Sequence, residues 1–348
     1  MLIDGIHIPL TTPFTRDGRS YLQKLEHNVG RYSLTPAAGL VAMGPGSEAN
    51  TLSDDEIAQV LQVVGRAAAA EKVLVAGIAK DSVRGALAIA EQASQTGIDA
   101  VLLAAPRDWA SLQAGALLAD GELRVFIEAV ADASPLPVML WSDAPELPVG
   151  LVAELAKHSN VIGVYDAGLT LERYAALAEA TSFVRREVSV TTVFAPVTRR
   201  MLRAEDGMFV SAASLGGGAA VAVAPTKSAV KTRTKVVGFQ IMATGRSAEM
   251  LPLLQAGVAG ALPGLAACAP QGCYEVFAAF KDGDAALSAE KAKRILAADE
   301  LMQAMGVGAV KYGCDWNGYF GGLARLPRLA LTEGERQRVE VVLREVRN

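Results

Sequence analysis

The chain is short of the residues that usually advertise a metal or redox centre. It has three cysteines and three histidines in 348 residues. Cys268, Cys273 and Cys314 are too few and too unevenly spaced for a disulfide framework or a zinc site. His7, His27 and His158 are scattered and form neither a metal pair nor a nucleophile–base signature. Neither sign of charge dominates: 33 Lys+Arg face 37 Asp+Glu, a net of −4, which gives no reason to expect nucleic acid or an acidic membrane as partner. No apolar run reaches the roughly 18 residues of a membrane span. Asp4 and His7 interrupt the opening residues, so the basic-then-apolar plan of a secretory leader is not expected there. What is abundant is apolar side chain, 51% against 20% charged. That balance predicts a well-packed, cytoplasmic α/β protein.

Short apolar runs alternate with helical patterns. Strands are expected at Ile6–Leu10, Gly39–Met43, Lys72–Ile78, Ala100–Ala105, Pro137–Trp141, Val161–Tyr165, Val236–Ile241 and Val258–Leu262. These runs are continuously apolar, which implies burial on both faces and therefore a parallel sheet with helical crossovers. Helices are expected at Tyr21–Tyr32, from a Ser53–Glu56 capping box to about Ala70, over Asp81–Thr96 with Gly97 as its left-handed stop, and around Leu123–Ala133. Eight strands close into a barrel, the alternative being an open doubly wound sheet. No Gly-x-Gly-x-x-Gly follows the first strand, which argues against the latter. A helical tail is expected at Ala285–Met305, Val307–Trp316 and Thr332–Arg347.

One stretch breaks the rhythm, an insertion within about 185–235. It holds Leu215–Gly216–Gly217–Gly218, which lacks the Gly-Lys-Ser/Thr of a phosphate loop, and the basic residues Lys227, Lys231, Arg233 and Lys235. A helix at Pro196–Arg203 and strands at Val188–Val193 and Met208–Ser211 are expected within it. Its readings are a lid over the barrel mouth, an interface arm, or a solvated excursion.

Several segments, in order, carry a resemblance: Thr11–Thr12–Pro13–Phe14 with Asp17–Gly18, Gly44–Pro45–Gly46–Ser47–Glu48 before Thr51–Leu52–Ser53, Gly308–Ala309–Val310–Lys311–Tyr312, and Arg325–Leu326–Pro327 before Leu331–Thr332–Glu333. Together they resemble the dihydrodipicolinate synthase and N-acetylneuraminate lyase family. The resemblance implies a (β/α)8 TIM barrel over 1–283 with a C-terminal helical region over 284–348, assembled as a homodimer or homotetramer. It also implies a lyase or aldolase acting on a 2-oxo acid, with no cofactor and no metal.

Carried over position by position, the same resemblance exposes departures. The family places its imine-forming lysine at the end of the sixth strand, where this chain has Tyr165; Trp141 stands at the position of the proton-relay tyrosine, and Pro45 and Gly46 replace two threonines. Pro145–Glu146–Leu147 lacks an arginine that often binds the second substrate, and Pro106–Arg107–Asp108 occupies the place of a tyrosine pair. A phenol cannot condense with a ketone to an iminium. Indole offers only an N–H donor and cannot return a proton.

The candidate catalytic residues are Tyr165, Asp166 and Lys80, and the candidate ligand-binding residues Gly46, Ser47, Glu48, Trp141, Asp143 and Arg107. Three functional readings follow. Lys80, beyond the third strand, is a relocated imine lysine. Glu48, Asp143 and Asp166 gather a hard cation such as Mg²⁺. Or the barrel binds a small ligand, or a homologous subunit, without catalysis. Each residue also has a structural reading: Glu48 as acceptor for loop amides, Asp166 as a helix cap, Asp143 as a turn former before Pro145, and Trp109, Trp141 and Tyr165 as aromatic filling.

Overall fold

A computed structural model describes residues 1–108, 116–206, 230–243 and 246–346. Eight parallel strands close into a barrel: β1 (Gly5–Pro9), β2 (Gly39–Ala42), β3 (Val73–Ile78), β4 (Ala100–Ala104), β5 (Val138–Ser142), β6 (Val161–Asp166), β7 (Gln240–Ala243) and β8 (Gly260–Ala261), with β1 pairing both β2 and β8. The barrel is therefore the fold, and the open-sheet alternative falls. The strands are buried almost throughout, as their unbroken apolar runs require. One set of side chains, including Val41, Val75, Leu102, Met139, Tyr165 and Met242, fills the interior. The other meets the helices.

The surrounding helices are α1 (Leu22–Ser33), α2 (Asp54–Ala67), α3 (Val83–Gln95), α4 (Asp120–Ala133), α5 (Val149–Leu155), α6 (Leu171–Ala180), α7 (Ser247–Ala256) and α8 (Pro270–Lys281). The Ser53–Glu56 capping box opens α2 as the sequence predicts. Gly97 follows α3 at φ +88, a conformation that costs glycine nothing. That helix starts two residues later than expected, because Ser82 rather than a preceding residue accepts from the Gly85 amide. Beyond the barrel, α9 (Ala285–Met305), α10 (Val307–Trp316) and α11 (Glu333–Leu343, capped by Thr332) form the helical tail.

The seventh strand is a correction. Val236 belongs not to the barrel but to an antiparallel hairpin of Arg186–Thr191 with Thr232–Val237. Exposed and covered side chains alternate along Arg186–Thr191 and Thr232–Val237 is mostly exposed, the mark of a ribbon with a wet face, whereas Gln240–Ala243 is buried throughout. At Gly163 on β6 a Cβ would collide with the Gln240 carbonyl, so glycine is what lets β7 approach.

The insertion does not reach over the mouth in its described parts. Arg186 donates to the carbonyls of Ala156, His158 and Val161, just before and at the start of β6, at 2.9, 2.8 and 2.5 Å. The insertion helix is Arg199–Asp206, later than expected, and its Arg200 donates to the carbonyls of Gly97 and Lys72 and pairs with buried Asp99. All these acceptors lie at the strands' N-terminal ends, so the described parts of the insertion brace the barrel from below. The strand expected at Met208–Ser211, the glycine run at 215–218, Lys227 and Trp109 lie outside the described residues.

Candidate functional site

In a barrel of this kind the loops after the strands build the ligand site. Two cavities open there. The first, about 260 Å³, is lined by Tyr165, Thr11, Pro45, Gly46 and Arg246 on the barrel side and by Asp299, Met302, Gln303 and Val307 from the C-terminal helices. The second, about 350 Å³, is lined by Asp81, Arg107, Trp141 and Asp143. Trp141 and Tyr165 are register partners on β5 and β6, yet each serves a different cavity.

The sequence-predicted residues are accordingly divided. Tyr165, 2% exposed, points into the interior of the barrel and borders the first cavity. Gly46 borders it with φ +76, and a Cβ there would meet nothing, so backbone conformation rather than space is what the glycine supplies. Arg107, Trp141 and Asp143 border the second cavity. There Arg107 donates to the Ala144 carbonyl at 3.1 Å, and Asp143 accepts from the Ala144 amide at 2.9 Å, the turn-forming role before Pro145. The Trp141 indole N–H is buried without an acceptor among the described residues.

Four predicted residues line neither cavity. Ser47 is buried and spends its hydroxyl locally, donating to the Gly44 carbonyl and accepting from the Ala49 amide. Glu48 pairs with Lys311, Nζ to Oε2 at 2.5 Å, and accepts from the Arg325 amide at 2.9 Å, which fastens the C-terminal region to the mouth. Lys80 pairs with Asp54 at 2.8 Å and lines neither cavity. Asp166 is fully buried and faces the helix layer rather than the mouth. Arg173 on α6 holds its carboxylate at 2.7 Å and also donates to the Leu147 carbonyl, so Asp166 locks α6 to the β5 loop, and the helix cap expected of it is supplied by Thr170. Glu48, Asp143 and Asp166 thus have separate engagements and do not converge on a cation site. Among the described residues no group of three or more His, Cys, Asp or Glu side chains is placed to hold a metal.

Sequence reasoning missed Thr11, Arg246, Asp299 and Gln303 as cavity residues. Asp299 lies in the middle of a tail helix, where a carboxylate reads as solvated surface. It is instead 1% exposed, and its Oδ2 accepts from the Ser247 amide at 2.8 Å and from Gln303 Nε2 at 2.5 Å. Burial pushes its carboxyl above the usual range, only partly countered by those bonds. His7, deep in β1, is also fully buried with both ring nitrogens unpartnered, and burial lowers it to about 4. The three cysteines are free and buried, which pushes their thiols up and accords with packing roles.

Comparisons with known proteins agree with this architecture. Residues 2–233 match the model of the Dihydrodipicolinate synthetase family. A 4-hydroxy-tetrahydrodipicolinate synthase of Gluconacetobacter diazotrophicus is 26% identical over 98% of this chain and 96% of its own length. One from Acidiphilium cryptum is 32% identical over 49% of this chain, and the chain spans only 58% of that relative. Among solved structures, an E. coli K12 prophage protein of the dihydrodipicolinic acid synthase family, in complex with pyruvate, superposes with a TM-score of 0.76 at 20% identity, covering 99% of both chains. A Bacillus anthracis dihydrodipicolinate synthase gives 0.75 at 19% identity, again over 99% of each. At such identities the structural matches speak for the fold, and the family match speaks for descent. This chain belongs to the dihydrodipicolinate synthetase family.

Proposed function

We propose that this protein binds a small acid of the 2-oxo acid class in the cavity beside Tyr165, and does so without forming an imine. The observation that carries this reading is the composition of that cavity: among the described residues no lysine lines it, and the β6 position facing it is a phenol. Two lysines nearby on the chain's motifs are committed elsewhere, Lys80 to Asp54 and Lys311 to Glu48. The cavity walls are mostly apolar, with Pro9, Leu262, Leu265 and Val310 among them, and Arg246 carries positive charge suited to a carboxylate. Pyruvate is the first acid to try, because a relative of the same fold was solved with it. A non-catalytic binding barrel fits these residues better than an aldolase, since loss of a covalent nucleophile typically removes several orders of magnitude in rate. We further propose assembly as a homodimer or homotetramer, to be checked by light scattering.

The test pairs two measurements. Ligand-observed NMR with pyruvate and 2-oxobutyrate should detect reversible binding. Borohydride reduction in the presence of either acid should leave the intact mass unchanged. A reduced adduct on any lysine refutes the non-covalent reading.

A further inference from the structure

We propose that Asp299, contributed by α9, and Thr11, from the loop after β1, form a hydrogen-bonding subsite that holds an oxygen atom of the acid bound in the first cavity. The proposal rests on the non-covalent reading above and adds to it the group that replaces covalent anchoring.

The geometry is specific about where the free capacity lies. Asp299 is 1% exposed and lines the cavity. Its Oδ2 already accepts two N–H bonds and the Ser247 hydroxyl lies beside the carboxylate, whereas Oδ1 is buried with no hydrogen bond of good geometry. No cation is paired with it among the described residues, and an unpaired carboxylate out of water is expensive, so the neutral acid is the favoured form. Burial indeed raises its pKa. With Oδ2 occupied as an acceptor, the proton belongs on Oδ1, and a protonated carboxyl there is a donor looking for an oxygen. Thr11 is the second such group: 4% exposed, lining the same cavity, its hydroxyl without a nitrogen or oxygen partner and the Cys314 thiol beside it. Two buried, unsatisfied polar groups in one apolar-walled cavity each cost about 1–3 kcal/mol until something pairs with them. A carbonyl or carboxylate oxygen satisfies both, since the protonated Asp299 Oδ1 and the Thr11 hydroxyl each donate to it.

The groups facing Asp299 are Arg246 and Ser247 from α7, Cys273 from α8, Cys268 before it, Glu300 on its own helix and Tyr165 across the cavity. Both thiols are held well above their ordinary range by burial. Asp299 is therefore the group expected to set the pH profile of binding. Ionisation removes the donor and places a negative charge against the incoming acid.

The experiment is calorimetric or NMR titration of pyruvate and lactate into the full chain between pH 5 and 9. The wild type should lose at least tenfold in affinity for pyruvate across that range. Asp299→Asn keeps an amide donor and the acceptor for Ser247, and should bind with a nearly flat profile. Asp299→Ala should lose tenfold or more at pH 5, and Thr11→Val severalfold. If Asp299→Ala fails to fold, the comparison of the wild type with Asp299→Asn still decides. Coincident pH profiles for those two proteins overturn the proposal, as does wild-type affinity in Asp299→Ala. Absence of any binding by the wild type sinks both readings; binding insensitive to Asp299 sinks this one alone.

Discussion

Lys311 and Glu48 form an ion pair sealed from solvent, Nζ to Oε2 at 2.5 Å, at the seam between the barrel mouth and the C-terminal helices. Burial lowers the Lys311 ammonium's pKa while Glu48 pushes it back up, the Leu323 carbonyl takes a second bond, and the Phe14 ring lies 4.3 Å away. Removing one partner strands a buried charge. Glu48→Gln should therefore cost about 3–5 kcal/mol. Glu48→Gln with Lys311→Met should cost clearly less than the summed single changes. Urea unfolding of the four proteins in the cycle measures this, and additive losses would mean the pair is not coupled.

Returning an amine to the cavity provides a probe of its shape. Tyr165→Lys combined with Trp141→Tyr places a lysine at a position 2% exposed, where burial depresses the ammonium and frees its lone pair. Borohydride with pyruvate should then label the peptide carrying position 165, while the parent protein stays unlabelled. Peptide mapping reads the result directly. An unlabelled double variant that remains folded and still binds pyruvate reversibly would place the acid out of reach of β6.

His7 predicts an acid limb in the stability curve. Its folded pKa of about 4 lies below the ordinary value of 6.5, so the unfolded chain takes up a proton that the native ring refuses. Stability from this group is complete above about pH 6.5 and declines as the pH falls toward 4, by about 3 kcal/mol in all. His7→Leu, which keeps an apolar side chain against Gly39, should flatten that part of the curve. Denaturation midpoints at pH 7, 6, 5 and 4.5 for both proteins make the comparison; parallel curves would assign the limb to other groups.

Arg200 predicts a loss of stability without a loss of binding. It satisfies buried Asp99 and carbonyls before β3 and β4 from the insertion. Arg200→Ala should cost about 2–3 kcal/mol, because Asp99 keeps its bonds from the Leu74 and Arg199 amides but loses its cation. Pyruvate affinity measured by NMR should not change, since no described residue of the insertion lines the first cavity.

Much of the fold is legible in local sequence because local physics writes it. Buried β-branched runs, the Ser53–Glu56 box and Gly97 each act within a few residues of themselves. The seventh strand misled because Val236 has strand character wherever it pairs, and only burial separates a ribbon from a barrel stave. The site was less legible. Ser47 and Glu48 sit in a motif that reads as ligand-binding, yet one is spent on its own turn and the other on Lys311. Thr11 and Asp299 line one cavity only because the C-terminal helices supply part of its wall, and no spacing along the chain announces that. Asp166 was found at the right strand end, but the side of the strand it faces depended on Arg173, seven positions on.

The brace beneath the barrel has a consequence for how the molecule tolerates change. Its attachments, Arg186 and Arg200, grip one pole, and the two cavities open at the other. Substitutions that loosen Arg186 or Arg200 are therefore felt at the pole away from both cavities, so this attachment can drift in sequence while the walls of either cavity stay as they are.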